Sequence, residues 1–192
     1  MIRLRRPENI NKNEVGEIIL INSHDGTSSY QMMAGYYRFV CQNGLVIGDD
    51  IENYRIHHKG DIKDNIIEVA YNITSNLDTA KENVEEMKAI ELNPIEKEIF
   101  AESALMLRYE EKEEAPIGSN LLLTNRRIED RKNNDLWTTY NKVQENIIKG
   151  GLLGKNQKGN KTRTREVKAI DNNIKLNKAL WNLTMKMAEL KG

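Results

Sequence analysis

From about Ile62 onward the apolar positions of this chain recur every three or four residues. Ile66, Ala70, Ile73, Leu77, Ala80, Val84 and Met87 make the first such stripe, the spacing of one face of an α-helix. The pattern predicts a long helix that stops near Leu92. Asn93-Pro94-Ile95-Glu96 then reads as a fresh start, with Asn as N-cap, Pro at the first helical position and Glu three residues after the cap. Ile95, Ile99, Met106 and Tyr109 are expected to be the buried face of that second helix. A third helix, capped by Asn134 or Asp135, carries Leu136, Tyr140, Val143 and Ile147 and ends at Gly150-Gly151. The last helix is expected over about residues 165–190, with Leu176, Leu180, Leu183, Met187 and Leu190 as its seam.

Before residue 62 the pattern is different. Ile18 to Ile21 is a short apolar run of the kind found in buried strands. Asp25-Gly26 and Asn43-Gly44 flank a Tyr- and Met-rich stretch, and Asx-Gly pairs supply the positive φ angles of tight hairpin turns. Strands are therefore expected over about 29–41 and 45–47. A fourth is expected over 53–58, with Tyr54 and Ile56 on one face and Arg55 and His57 on the other. Residues 1–14, polar and basic, read as a loose arm.

The expected fold class is α+β: an N-terminal antiparallel β-meander of three to four strands followed by four or so packed helices. In architecture alone, that order is similar to the start of single-strand annealing proteins. The acidic stretch from Glu110, followed by Pro116 and Gly118, reads as a loop. It divides the chain into a sheet with long helices over 1–114 and a C-terminal helical lobe over 115–192, packed together as one unit. Leu121 to Leu123 is a short element, and residues 152–164, with Gly154 and Gly159, are expected to be mobile.

Composition narrows the class. The 192 residues suit one domain of ordinary size or a domain with a lobe. Basic and acidic residues number 29 each, which argues against a uniformly basic nucleic-acid binder but leaves room for a local patch. Cys41 is the sole cysteine, so no intramolecular disulfide forms and a reducing cytosol is the expected location. There is neither a signal-peptide pattern nor an apolar run of about 20 residues able to span a bilayer. No cofactor-binding pattern is seen, and exposed sheet edges leave self-association open.

Three stretches carry a family resemblance. The first is Leu20 to Ser28, which contains Asn22, His24, Asp25 and Gly26, together with Tyr36 to Val40 and Cys41-Gln42-Asn43-Gly44-Leu45-Val46. The second is Leu136 to Asn146 followed by Gly150-Gly151, and the third is Ile174 to Trp181. Together they resemble a family of phages, plasmids and integrated elements catalogued as domain of unknown function number nine-three-two. The resemblance implies a mobile-element context, near anti-restriction or DNA-repair-like genes, and no settled biochemistry. It also implies a further N-terminal region ahead of Arg3-Leu4-Arg5, whose activity is expected to be lost here or supplied by a separate chain.

The candidate chemistry is sparse. A hydrolase would use His24 as general base, oriented by Asp25, with Ser23, Ser28 or Ser29 as nucleophile. Adjacent residues at a strand end face opposite ways, however, and Asp25-Gly26 is already explained as a turn. His57 and His58 with His24 and Asp25 would form a metal site, but the same alternation opposes it and no spaced Cys or His motif supports it. Cys41 lacks an adjacent base and reads as a small buried hydrophobe.

Nucleic acid is the better fit. Tyr30, Tyr36, Phe39 and Tyr54 on strands suit base stacking, and Arg38 and Arg55 suit phosphate contact. Lys149, Lys155, Lys158, Lys161, Arg163, Arg165 and Lys168 face one acid, Glu166, along a Gly-containing stretch. Arg126, Arg127 and Arg131 would extend it. At the opposite pole lie Glu82, Glu85, Glu86, Glu91, Glu96, Glu98 and Glu102, an acidic face that could mimic DNA toward a host protein. The leading expectation is a non-catalytic mobile-element protein contacting single-stranded nucleic acid. The phosphate contacts would come from Arg38, Arg55, Lys155, Lys158, Lys161, Arg163 and Arg165, and the stacking from Tyr36. The alternative is an anti-defence protein that binds and inhibits a host restriction or CRISPR-type immune protein.

Overall fold

The computed structural model describes residues 2–5, 14–21, 31–38, 45–46, 71, 78–109, 115–155 and 158–191. Two compact units divide the chain, Met1–Asn83 and Val84–Gly192. In the first, the strands are β1 (Ile2–Arg5), β2 (Glu14–Ile21), β3 (Gln31–Arg38) and β4 (Leu45–Val46). Their backbones pair antiparallel, with Ile2 opposite Leu20, Ile18 opposite Ala34 and Tyr36 opposite Leu45.

The expected fold class needs correcting. Most of the described chain beyond residue 78 is helical, and its only sheet is a two-stranded hairpin late in the sequence. The described body beyond residue 78 is accordingly mostly helical with a core of its own, which corrects the expectation of one α+β domain founded on the N-terminal meander. Apolar residues spaced by three and four dominate that body, so helices bury its core. The two Asx-Gly turns and the strand expected over 53–58 lie outside the described residues. The expected arm over 1–14 contains β1, a paired strand.

A helical run over residues 78–89, α1, spans the point in the sequence where the units divide and buries Ala80, Val84 and Met87, as the stripe predicts. The chain then straightens. Leu92 N–H donates to the Asn134 carbonyl at 3.0 Å, and Leu136 N–H donates to the Ile90 carbonyl at 2.8 Å.

Helix α2 (Pro94–Arg108) begins as its sequence dictates. Asn93 Oδ1 accepts from Glu96 N–H at 3.0 Å, and Glu96 Oε2 accepts from Asn93 N–H at 2.8 Å, a reciprocal capping box. Its buried face differs from the expected one. Phe100, Ala101, Ala104 and Leu105 point inward, whereas Ile95, Ile99 and Met106 are exposed and Tyr109 is half-buried. The helix carries two apolar stripes, and the one with two alanines lets neighbouring backbones approach more closely.

Helix α3 (Leu136–Lys149) starts at Asp135, whose carboxylate accepts from Thr138 N–H at 2.7 Å. It is buried almost all round, the mark of a central helix. Leu136, Tyr140, Val143 and Ile147 are inside, as expected. Trp137 stacks on Tyr140 with centroids 5.5 Å apart, and Tyr140 meets Trp181 edge-on at 6.2 Å.

Helix α4 (Ile170–Lys191) starts later than expected. The residues before it are held extended: Val167 N–H donates to the Ile148 carbonyl at 2.9 Å, and the Arg165 carbonyl accepts from Arg108. Its seam is Leu176, Asn177, Leu180, Trp181, Thr184 and Ala188. Leu183 and Met187 are half-buried and Leu190 is exposed, because Trp181 and Asn177 rotate the inward face toward α3. Glu96 at the start of α2 pairs with Lys191 at the end of α4, 2.8 Å away, so the two run antiparallel. Among the described residues no helix is long and apolar enough to cross a membrane.

Candidate nucleic-acid interface

The site is built on the end of α3. Gly150 and Gly151 take positive φ angles of 61° and 81°, which only glycine adopts cheaply. A Cβ on Gly150 would lie 2.6 Å from the Arg165 carbonyl oxygen. The chain therefore turns sharply against residues 164–165. Gly151 N–H donates to the Thr164 carbonyl at 2.8 Å, and Thr164 N–H donates to the Leu152 carbonyl at 2.9 Å.

Beyond that junction runs a hairpin of β5 (Leu153–Lys155) and β6 (Lys161–Arg163), with Leu153 opposite Arg163, Gly154 opposite Thr162 and Lys155 opposite Lys161. This corrects the expectation of a mobile loop over 152–164. The strands are short and carry Lys155 and Lys161, but Thr162 favours extended backbone, and Gly159, at φ 77°, sits in the connection.

The two faces of the hairpin differ. Gly154 faces inward: a Cβ there would come within 1.8 Å of the Pro116 carbonyl oxygen and 2.7 Å of the Ile117 side chain. Lys155 N–H donates to that same Pro116 carbonyl at 2.8 Å. Strand alternation puts Leu153, Lys155, Lys161 and Arg163 on the outer face, where all four are exposed. Lys158 lies exposed in the connection, and Arg165 and Lys168 follow, also exposed. Arg163 Nη1 donates to the Gly151 carbonyl at 3.1 Å, which aims its guanidinium along the strand end.

Five of the cations expected from sequence, Lys155, Lys158, Lys161, Arg163 and Arg165, thus sit on one hairpin and its exit. Of the neighbouring arginines, Arg126 and Arg127 do not join them. Arg126 donates to Asn146 Oδ1 at 2.5 Å and to the Gly150 carbonyl. Arg127 pairs with Glu145 at 3.0 Å, and Lys149 pairs with the same carboxylate at 2.8 Å. The two arginines tie α3 to the segment before it, and the Lys149–Glu145 pair lies within α3. Asn146 completes that tie by donating to the carbonyls of Leu122 and Thr124, each at 2.8 Å.

Tyr36 and Arg38 belong to β3, at register positions opposite Gly16 and Glu14. Asn22, His24, Asp25, Gly26, Asn43, Gly44 and Arg55 lie outside the described residues, as do Cys41, His57 and His58. Sequence reasoning misses Arg108, Met106, Leu107 and Lys175, which line a groove beside the hairpin exit. The signal for them is the apolar pair Met106-Leu107 ahead of a basic residue at a helix end.

The chain belongs to the family described as domain of unknown function DUF932, whose model matches residues 1–181. It is similar to two Escherichia coli K12 proteins, UPF0380 protein YafZ and UPF0380 protein YfjQ, each 48% identical over 181 residues. Those alignments cover 94% of this chain and 66% of each relative, so the chain spans just under two thirds of their length. No solved structure matches.

Proposed function

We propose that this chain is a non-catalytic, cytoplasmic mobile-element protein that contacts nucleic acid, preferably single-stranded DNA, through the outer face of the β5–β6 hairpin. The observation that carries the reading is the placement of Lys155 directly opposite Lys161. Like charges facing each other across a ladder destabilise it, by about 0.2–1 kcal/mol on the scale of cross-strand pairs. Among the described residues neither lysine has a carboxylate partner. A phosphate between the two ammonium groups turns that repulsion into two charge-assisted hydrogen bonds. Arg163, Arg165 and Lys168 continue the positive edge with Glu166 as the intervening acid. The mobile-element origin rests on the family resemblance.

Anisotropy of a labelled oligonucleotide tests this. The full chain is expected to bind at low micromolar concentration in ~50 mM salt, where phosphate contacts are strongest, and Lys155→Glu/Lys161→Glu is expected to abolish binding. Absence of binding by the unaltered chain removes the reading. The anti-defence alternative draws on Glu82, Glu85 and Glu86, exposed on α1. It stands second because the acidic groups are interrupted: Glu85 pairs with Lys88 at 2.9 Å and Glu96 with Lys191.

A further inference from the structure

We propose that the groove between the end of α2 and the start of α4 receives one unstacked base of the strand whose phosphates lie on the hairpin. This rests on the hairpin reading above and gives it a reason to prefer single strands.

The groove encloses about 570 Å³, within the range of small-ligand sites (about 300–1,000 Å³). Met106 and Leu107 of α2 form one apolar side, and Leu176 and Ala179 of α4 form the other. Met106 and Leu107 are 51% and 41% exposed, unusual for large apolar residues with a partner helix beside them. A nucleobase is flat and weakly polar, and a methionine thioether packs well against aromatic rings. Asn172 also lines the groove, and its amide offers a donor and an acceptor to a base edge.

Charge selects the class of occupant. Lys168 and Lys175 are exposed lining residues with no carboxylate partner among the described residues. Glu166 is the one carboxylate among the lining residues. A groove lined by both apolar and cationic side chains fits an amphipathic anion, and a nucleotide has that character.

The groove also continues the hairpin. Arg163 ends β6, and Glu166 begins the groove lining three residues later, at most about 10 Å away along an extended chain. A strand lying over Lys155, Lys161 and Arg163 therefore reaches the groove with a neighbouring nucleotide. The connecting segment is fixed in advance: Arg108 donates to the carbonyls of Ile147 and Arg165, and Val167 N–H donates to the Ile148 carbonyl. A duplex keeps its bases stacked and paired, and extruding one costs a few kcal/mol. Only a single strand fills the groove at little cost.

The test uses the full chain and three probes of equal length at ~50 mM salt: oligodeoxythymidine, a fully abasic oligodeoxyribose phosphate and a duplex. Oligodeoxythymidine is expected to bind about tenfold more tightly than the abasic strand, the lower end of what one stacked base contributes. Ala169→Trp fills the groove without changing charge. It is expected to bring oligodeoxythymidine down to the abasic level while leaving abasic and duplex binding unchanged. The abasic strand alters only the ligand, so that comparison holds even if the variant folds poorly. Equal binding of oligodeoxythymidine and the abasic strand overturns the groove assignment while leaving the hairpin reading intact, and so does an Ala169→Trp effect equal for both. Failure of all three probes to bind overturns the hairpin reading and this inference with it.

Discussion

Gln144 on α3 donates from Nε2 to Asn177 Oδ1 on α4, 2.7 Å away, and both residues are buried. Asn177 in turn donates to the carbonyl and side chain of Asn173, at 2.9 and 2.7 Å. A buried amide that keeps its partner is nearly neutral, whereas one that loses it bears the desolvation cost of about 1–3 kcal/mol. Asn177→Leu is therefore expected to lower stability by that amount, because Gln144 keeps a buried amide with no acceptor. Gln144→Leu/Asn177→Leu is expected to cost less than the sum of the single changes. Urea unfolding midpoints check both, and strict additivity would contradict the coupling.

The start of α2 carries a pH-dependent contribution. The Lys191 ammonium, then the Asn93 N–H, hold the Glu96 carboxyl below its ordinary value of 4.5, with burial opposing slightly. A carboxyl depressed in the folded state adds stability above its unfolded value, and that stability is lost as pH falls through the folded value. Lys191→Ala is expected to raise the Glu96 titration toward the ordinary range, seen by NMR. It should also lower stability at neutral pH and flatten the acid-side decline. Asn93→Ala is expected to cost about 1 kcal/mol through the lost cap. An acid profile identical to that of the unaltered chain would refute the Lys191 contribution.

Gly154 fixes the hairpin to the segment at Pro116. Gly154→Ala places a methyl group where the Pro116 carbonyl oxygen stands, so the strand must lift away. The hydrogen bond from Lys155 N–H to Pro116 is then lost. Hydrogen exchange at the Lys155 amide is expected to quicken while amides in the middle of α3 keep their protection. Unchanged exchange at Lys155 would show that the hairpin is held some other way.

How much of the helical body is legible in the sequence depends on how local each signal is. The capping box at Asn93 and Glu96 involves residues three apart, and the stripe of α3 is unambiguous, so both can be read before any fold is known. The buried face of α2 cannot, because Ile95, Ile99 and Met106 on one stripe rival Phe100 and Leu105 on the other in apolarity, and only close packing, which favours the stripe with two alanines, decides between them. The inward turn of Asn177 and Thr184 on α4 is invisible too, because their partners, Gln144 and the Leu180 carbonyl, are known only once the helices meet or form. The basic stretch is visible as charge. That it forms a ladder with one cationic face depends on Gly154 fitting against Pro116, a contact between residues far apart in the chain.

The most direct test is the salt dependence of oligonucleotide binding. Each phosphate contact to a single strand contributes a slope of about −0.7 in log K against log salt. Lys155→Ala/Lys161→Ala removes the phosphate contact that the two lysines share and is expected to make the slope shallower by about 0.7, with the fold unchanged by circular dichroism. A slope that stays the same in the double variant, or no binding by the unaltered chain at ~50 mM salt, would contradict the assignment of this hairpin as a phosphate-binding surface.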